Sequence, residues 1–309
     1  MTTTEQAYQP AAPGPSGPTP GEPHGRSAAA RALLVIGAVL AALIVLRVAL
    51  FLVDLAVAST TTQHESYAAA STVELVADGD VTVRTADGGV EVDRIAHSSL
   101  ASPTYRADES ADRLVVRHEC TGWTWLVTRC SGELAVTVPP DTELVVRTSN
   151  GDVLASGVAG DVELGSSNGE VAATSIDGTL DAHTSNGGVE IAGVTGDVDA
   201  HSSNGGIEVS DVGGSLEVET SNGDIDVDGV AGSAVAVSSN GTVEVAGVAG
   251  DARAESSNGD VTVTGDGEPV KLVIDTSNGN QTIEGATDPE ASRTVEVRSS
   301  NGDVSYLVR

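Results

Sequence analysis

The 309-residue chain carries 45 Asp and Glu against 15 Lys and Arg, a formal net charge of −30 that excludes the basic footprint of a nucleic-acid binder. Only 2% of its residues are aromatic while 36 are Gly, so any core must be built from Val, Ile, Leu and Ala rather than large rings. The length permits two ordinary domains, but this composition points to something more repetitive and unlike a typical enzyme.

Residues 1–27, including the Pro-, Gly- and Ser-rich run from Pro10 to Pro23, have almost nothing to bury and are expected to be a disordered cytoplasmic segment. Residues 28–58 are expected to form one transmembrane helix, a signal anchor. From Leu33 to Val57 the chain is apolar except for Arg47 and Asp54. As a helix this stretch is about 37 Å long, enough to cross a hydrocarbon core of roughly 30 Å with some tilt. Arg47 and Asp54 are two turns apart on one face, where they can snorkel or meet a partner helix. Arg26 and Arg31 flank the start, whereas no Lys or Arg closely follows Val57, so the N-terminus is expected in the cytoplasm and the rest outside. Ala56-Val57-Ala58 has the form of a signal-peptidase site, but the apolar stretch is longer than a signal-peptide core and favours an anchor. Residues 1–58 hold three basic and three acidic side chains, so the body alone carries the negative charge.

Residues 59–148 are expected to be irregular first rungs and a cap. Asp78-Gly79-Asp80-Val81 and Asp87-Gly88-Gly89-Val90 loosely echo the repeat that follows. Cys120 and Cys130, the only cysteines, bracket Trp123 and Trp125; outside a membrane a disulfide hairpin is expected, with the tryptophans packed on it as a cap.

Residues 149–309 are the regular part. Ser-Asn-Gly recurs with Asn at 150, 168, 186, 204, 222, 240 and 258, a period of 18 residues, and again at 278 and 301. Such a period means stacked supersecondary units. Apolar residues form columns three, five and eight positions after Asn (Val171, Ala173 and Ile176 in one unit), then twelve and fourteen after it (Leu180 and Ala182). Spacings of two are strand alternation. Each unit therefore reads as strand, glycine turn, strand and Asn-Gly corner, the Asn-Gly being expected to supply positive φ. An antiparallel meander would also use Asn-Gly turns. The nearly invariant period favours an all-β, roll-like parallel β-solenoid, a single coil of about 18 residues per rung, with the seven asparagines from Asn150 to Asn258 stacked as an amide ladder. The insertion Gly265–Pro269 lengthens a late turn, and Tyr306 and Leu307 are expected to close the far end.

Val136-Thr137-Val138-Pro139, Thr142-Glu143-Leu144 and Thr148-Ser149-Asn150-Gly151-Asp152-Val153 resemble the bacterial putative-adhesin family of β-strand-repeat domains of unknown function over about residues 70–309. The resemblance implies a β-solenoid on the outer face of a membrane or in the cell envelope, and it transfers no catalytic residue.

Gly165-Ser166-Ser167-Asn168-Gly169 matches the G-x-S-x-G nucleophile elbow, but Ser167 merely repeats the corner column and lacks the strand-to-helix setting. The outward columns carry more chemistry. Glu190, Glu208, Asp226 and Glu244 form one acidic ladder, and Asp181, His183, Asp199 and His201 form a patch of metal-ligand type. At rung spacing, adjacent carboxylates repel by about 0.9 kcal/mol even with the dielectric of water. Ca²⁺ is the candidate ion for oxygen ladders, against the plainer reading of a solvated acidic surface with no cofactor. The expected protein is a single-pass cell-membrane protein displaying an acidic solenoid to a surface glycan or protein ligand. It is expected to be an interaction or structural protein, with no catalytic residues. The alternatives are a solenoid enzyme acting on envelope polysaccharide or an envelope-stress component.

Overall fold

The computed structural model describes residues 28–98, 102–120 and 130–308. The readings placed on residues 1–27 and on Trp123 and Trp125 lie outside these. Helix α1 (Ala28–Val57) is 30 residues long and has apolar side chains on all sides. Its stretch Ala32–Val57 is long and apolar enough to cross a membrane.

Every other element among the described residues is a strand. An irregular set comes first: β1 (Ser59–Tyr67), β2 (Thr72–Ala77), β3 (Val81–Thr85), β4 (Val90–Ser98), β5 (Thr104–Glu109), β6 (Arg113–Glu119), β7 (Ser131–Val138) and β8 (Glu143–Thr148). The regular units run from β9 (Val153–Ser156) to β19 (Val243–Val248), then β20 (Ala252–Asn258) and β21 (Val261–Gly265). The last four strands are β22 (Lys271–Asn278), β23 (Gln281–Ile283), β24 (Thr294–Asn301) and β25 (Val304–Val308).

The fold is a β-solenoid, each rung giving one strand to a 13-stranded sheet, sheet A, and one to a 12-stranded sheet, sheet B. Within the regular part all pairing is parallel and in register at one period. Val171 pairs with Val189, Val189 with Ile207 and Ile207 with Ile225 in sheet A. Leu180, Val198, Leu216 and Ala234 follow one another in sheet B. Alternation sends these columns inward, where small aliphatics at 0–4% exposure fill the space between the sheets.

The two turns of a unit meet different steric demands. Seven residues after Asn the backbone enters the left-handed region, at Gly157, Gly193, Gly229 and Gly247 and also at Ser175 (φ 57°) and Asp211 (φ 56°). The Asn-Gly corner does not: none of its glycines has φ in that region, contrary to the expectation from sequence. Those glycines are needed because rungs touch there. A Cβ on Gly169 would lie 2.0 Å from the Gly151 carbonyl oxygen, and one on Gly187 would lie 1.9 Å from that of Gly169.

Both ends depart from chain order. At the first end β2 lies between β6 and β8, and β3 between β7 and β9; β5 joins β6 antiparallel, and β4 joins β7 and β1 antiparallel. Strand β1 is Ser, Thr, Gln, His and Glu over most of its length, so its sheet ends on a polar strand. At the other end β24 and β25 sit between the β20–β21 rung and the β22–β23 rung. Tyr306 is thus buried at 1% exposure beneath β23, and the far end is formed by β22 and β23 rather than by Tyr306 and Leu307. The strand pair β2–β3 and the last pair in the chain, β24–β25, are each held between two neighbours, and the strands paired on one side only among the described residues are β1, β5, β22 and β23.

Candidate functional site

The corner column is continuous. Asn168 Nδ2 donates to Asn150 Oδ1 at 3.1 Å and to the Ser149 carbonyl at 2.8 Å. Asn186, Asn204, Asn222, Asn240 and Asn258 repeat this, each donating to the Asn one rung back at 3.0–3.2 Å. Asn301 then donates to Asn258 and Asn278 to Asn301, so the amide ladder follows the stack and not the chain.

Beneath it lies a column that the sequence reading missed. The residue two before each corner Asn is Ser or Thr, and its buried hydroxyl joins two rungs. Ser202 Oγ donates to the Gly187 carbonyl and accepts the Gly205 N–H, both at 2.9 Å, with Ser202 fully buried. Ser166, Thr184, Thr220, Ser238 and Ser256 make the same bond to a glycine carbonyl fifteen residues back. The strict Ser/Thr alternative at that position was the available signal. Replacing Ser202 by Ala leaves a buried carbonyl and N–H without their partner and is expected to cost about 2 kcal/mol in urea unfolding. Ser203→Ala, one residue on, should stay within about 0.5 kcal/mol.

Several acidic residues bracket the backbone of a neighbouring rung. Asp152, Asp224 and Asp260 each accept a backbone N–H from the next rung in the stack at 2.8 Å at one corner. At the other turn Asp161 accepts the N–H and hydroxyl of Thr179, and Asp197 accepts the Ser215 N–H. The Thr179 hydroxyl, then its N–H, hold the Asp161 carboxyl below the ordinary carboxylate range.

Two files of outward carboxylates form the candidate surface. On the outer face of sheet B, Asp181, Asp199 and Glu217 are register partners, as are His183, His201 and Glu219. His183 Nδ1 stands 3.6 Å from Asp181 Oδ1, and its ring lies over Gly165, where a Cβ would come within 2.4 Å of Nε2. A groove of about 610 Å³ runs along this face between Glu143 and Val235, with Asp161, Asp181, Asp199 and Glu217 along it. On sheet A, Glu190, Glu208, Asp226 and Glu244 are in register, and the first three line a second groove of about 360 Å³. Among the described residues no three His, Cys, Asp or Glu side chains converge as a metal site requires. The carboxylates of both grooves follow one another in file, one per rung.

Partial burial, then repulsion from Asp181 and Glu217, raise the Asp199 pKa. A carboxyl raised in the fold stabilises fully below its unfolded value of 3.8 and loses that contribution as pH rises through the folded value. Asp161, lowered in the fold, has the opposite sign and weakens the fold on acidification. Asp199→Asn is therefore expected to raise the thermal midpoint at pH 7 and to show no advantage at pH 3, measured by calorimetry at both values.

Cys120 and Cys130 form a disulfide with Cα atoms 6.1 Å apart. Ser167 is exposed on the corner, while the buried Ser166 beside it is a rung-joining hydroxyl. No strand-to-helix turn occurs there.

Stacked parallel rungs, an amide ladder and outward acidic files define a rigid β-solenoid of repeat type, whose surface chemistry recurs along the stack. The model of one family, Toastrack DUF4097, matches residues 79–308, and the chain belongs to that family. Solved structures similar to it include a putative adhesin from Bacteroides fragilis (14% identity, 81% of this chain and 97% of that one, TM-score 0.32). Others are a putative lipid binding protein from Parabacteroides distasonis (13%, 80% and 96%, 0.41) and a putative cell adhesion protein from Clostridium sporogenes (10%, 81% and 100%, 0.24). No curated protein matches the chain.

Proposed function

We propose that this protein is a single-pass envelope protein, its N-terminus cytoplasmic, that displays the solenoid outside the cell as a rigid anionic interaction surface for a cation-bearing ligand. The observation that carries this reading is the distribution of charge. Residues 148–252 contain 18 acidic residues and no Lys or Arg, and they fold into consecutive rungs of one stack. Basic side chains return on either side of them, among them Arg84, Arg117 and Arg147 at one end and Arg253, Lys271, Arg293 and Arg298 at the other. An uninterrupted field of one sign attracts cationic partners over about a Debye length, roughly 8 Å at physiological salt. The sheet B groove adds Val145 and Val235 as apolar ends to a floor of carboxylates, which suits a basic segment with an aliphatic stem, from an envelope protein or an amino-sugar polymer. The same files repel one another, so Ca²⁺ bound along them would relieve the strain and compete with the ligand.

Recurrence of one motif on successive rungs fits binding by repetition rather than catalysis at a single centre. The test is a binding screen of the full-length protein in detergent against basic peptides, neutral peptides and glycans, in NaCl and in Ca²⁺ at matched ionic strength. Binding confined to cationic ligands, weakened by Asp181→Asn with Glu217→Gln and by Ca²⁺ beyond its ionic strength, supports the reading. Equal binding of neutral ligands, or an unchanged affinity in the double variant, removes it.

A further inference from the structure

Strand β1 follows α1 after a single residue, Ala58, and pairs on one side only, with β4. It gives the core no buried residue: Ser59 to His64 are exposed, and only Glu65 and Tyr67 are partly covered. Along its first six residues the side-chain ties to β4 include exposed polar pairs. The Ser59 and Ser98 hydroxyls are 3.2 Å apart, Thr60 Oγ1 is 3.0 Å from His97 Nδ1, and His64 Nδ1 is 2.8 Å from Asp93 Oδ1. Water replaces exposed bonds of this kind with little net loss.

The other end of the strand is fastened differently. Tyr67 Oη donates to Glu65 Oε2 at 2.5 Å, which leaves Tyr105 Oη of β5, 2.7 Å away, to donate to Tyr67. Strand β1 of sheet A is thereby tied to a strand of sheet B. The Arg94 guanidinium covers the Tyr105 ring at 4.3 Å and pairs with Glu65 Oε1 at 3.2 Å. These groups are half-buried, and both tyrosine rings pack against the core. Partial burial strengthens such bonds and makes a hydroxyl costly to leave unpaired. Tension from the helix therefore loads Ser59 first, at the weakly held end, and reaches the tyrosines last. Beyond them Ala70 already belongs to the core, at 9% exposure, and β4 stays paired with β7, so β1 can leave without drawing either neighbour after it.

We propose that β1 is a releasable strap, latched by Tyr67 and Tyr105. Paired, it leaves one residue between the apolar helix and the solenoid. Released, it frees residues 58–69, about 40 Å of extended chain, while the stack from β2 onward stays folded. The use of this length as a tether rests on α1 being the membrane anchor, but the release itself does not. The test is hydrogen exchange of the full-length protein in detergent, read by mass spectrometry. The slowest amides of residues 59–67 should exchange at least about tenfold faster than those of residues 189–212 in mid-shaft. In urea below the unfolding transition their rate should barely change, whereas the mid-shaft rate should rise with the surface that global opening exposes. Tyr67→Phe and Tyr105→Phe each delete a latch hydroxyl, so each should speed exchange in 59–67 about tenfold and leave 189–212 unchanged. Because the two tyrosines sit on different strands, agreement between the variants separates a lost latch from local damage. Equal protection of the two segments overturns the proposal. So does a shared urea dependence, or a pair of tyrosine variants that speeds both segments alike or neither.

Discussion

Gly205→Ala should cost about 3 kcal/mol or more and leave the central rungs unfolded under conditions where the wild type is folded. An added Cβ would lie 1.8 Å from the Gly187 carbonyl oxygen, a distance no rotamer can relieve because the backbone alone fixes the Cβ position and the oxygen belongs to the neighbouring backbone. The rungs cannot separate to make room without breaking the Ser202 bonds to the Gly187 carbonyl and the Gly205 N–H, which fix their spacing. Gly193→Ala provides the contrast. Its Cβ would find nothing closer than 3.8 Å, and only its φ of 71° opposes a side chain, a strain of about 1–2 kcal/mol. Urea unfolding of both variants distinguishes the causes. Equal costs would mean that the corner glycine serves φ and not the approach of rungs.

Val209→Asp should be at least as damaging, by roughly 4 kcal/mol, because it places a carboxylate at 1% exposure between the register partners Ile191 and Val227. Nothing in that column can pair with the charge, since its neighbours above and below are aliphatic. The next residue alternates outward. Ser210 is half-buried on the outer face, beside Ala192 and Asp228, so Ser210→Asp should change stability by no more than about 1 kcal/mol, mostly by repulsion from Asp228. Calorimetric midpoints well apart for this pair support the alternation, and equal midpoints would contradict it.

These two pairs mark what could be read from the sequence. Columns of like residues at a fixed period report parallel register directly, because stacking places position n on position n + 18, and the inward valines and the corner asparagines were legible for that reason. The reason for the corner glycine was not. Asn-Gly pairs usually report positive φ, and only the stacked backbone reveals that the glycine answers to the rung beneath it. The order of rungs at the ends was hidden for a similar reason. A period counts residues along the chain, so it cannot show that β24 and β25 slide between the β20–β21 rung and the β22–β23 rung, where parallel pairing covers Tyr306. The surface files were visible as spacings, yet the sequence could not tell Asp161 and Asp197, which bracket a neighbouring N–H, from Asp181 and Asp199, which face outward. That distinction depends on which side of a turn each carboxylate leaves the backbone.

The proposed display outside the cell is tested most directly by labelling intact cells that express the full chain with a membrane-impermeant maleimide. Two single-cysteine additions report the two sides, Glu208→Cys on the solenoid and Ser16→Cys ahead of the apolar helix. Position 208 should label in intact cells and position 16 only after lysis. Labelling at 16 but not at 208 in intact cells, or at neither until lysis, would contradict an anchored solenoid that faces outward.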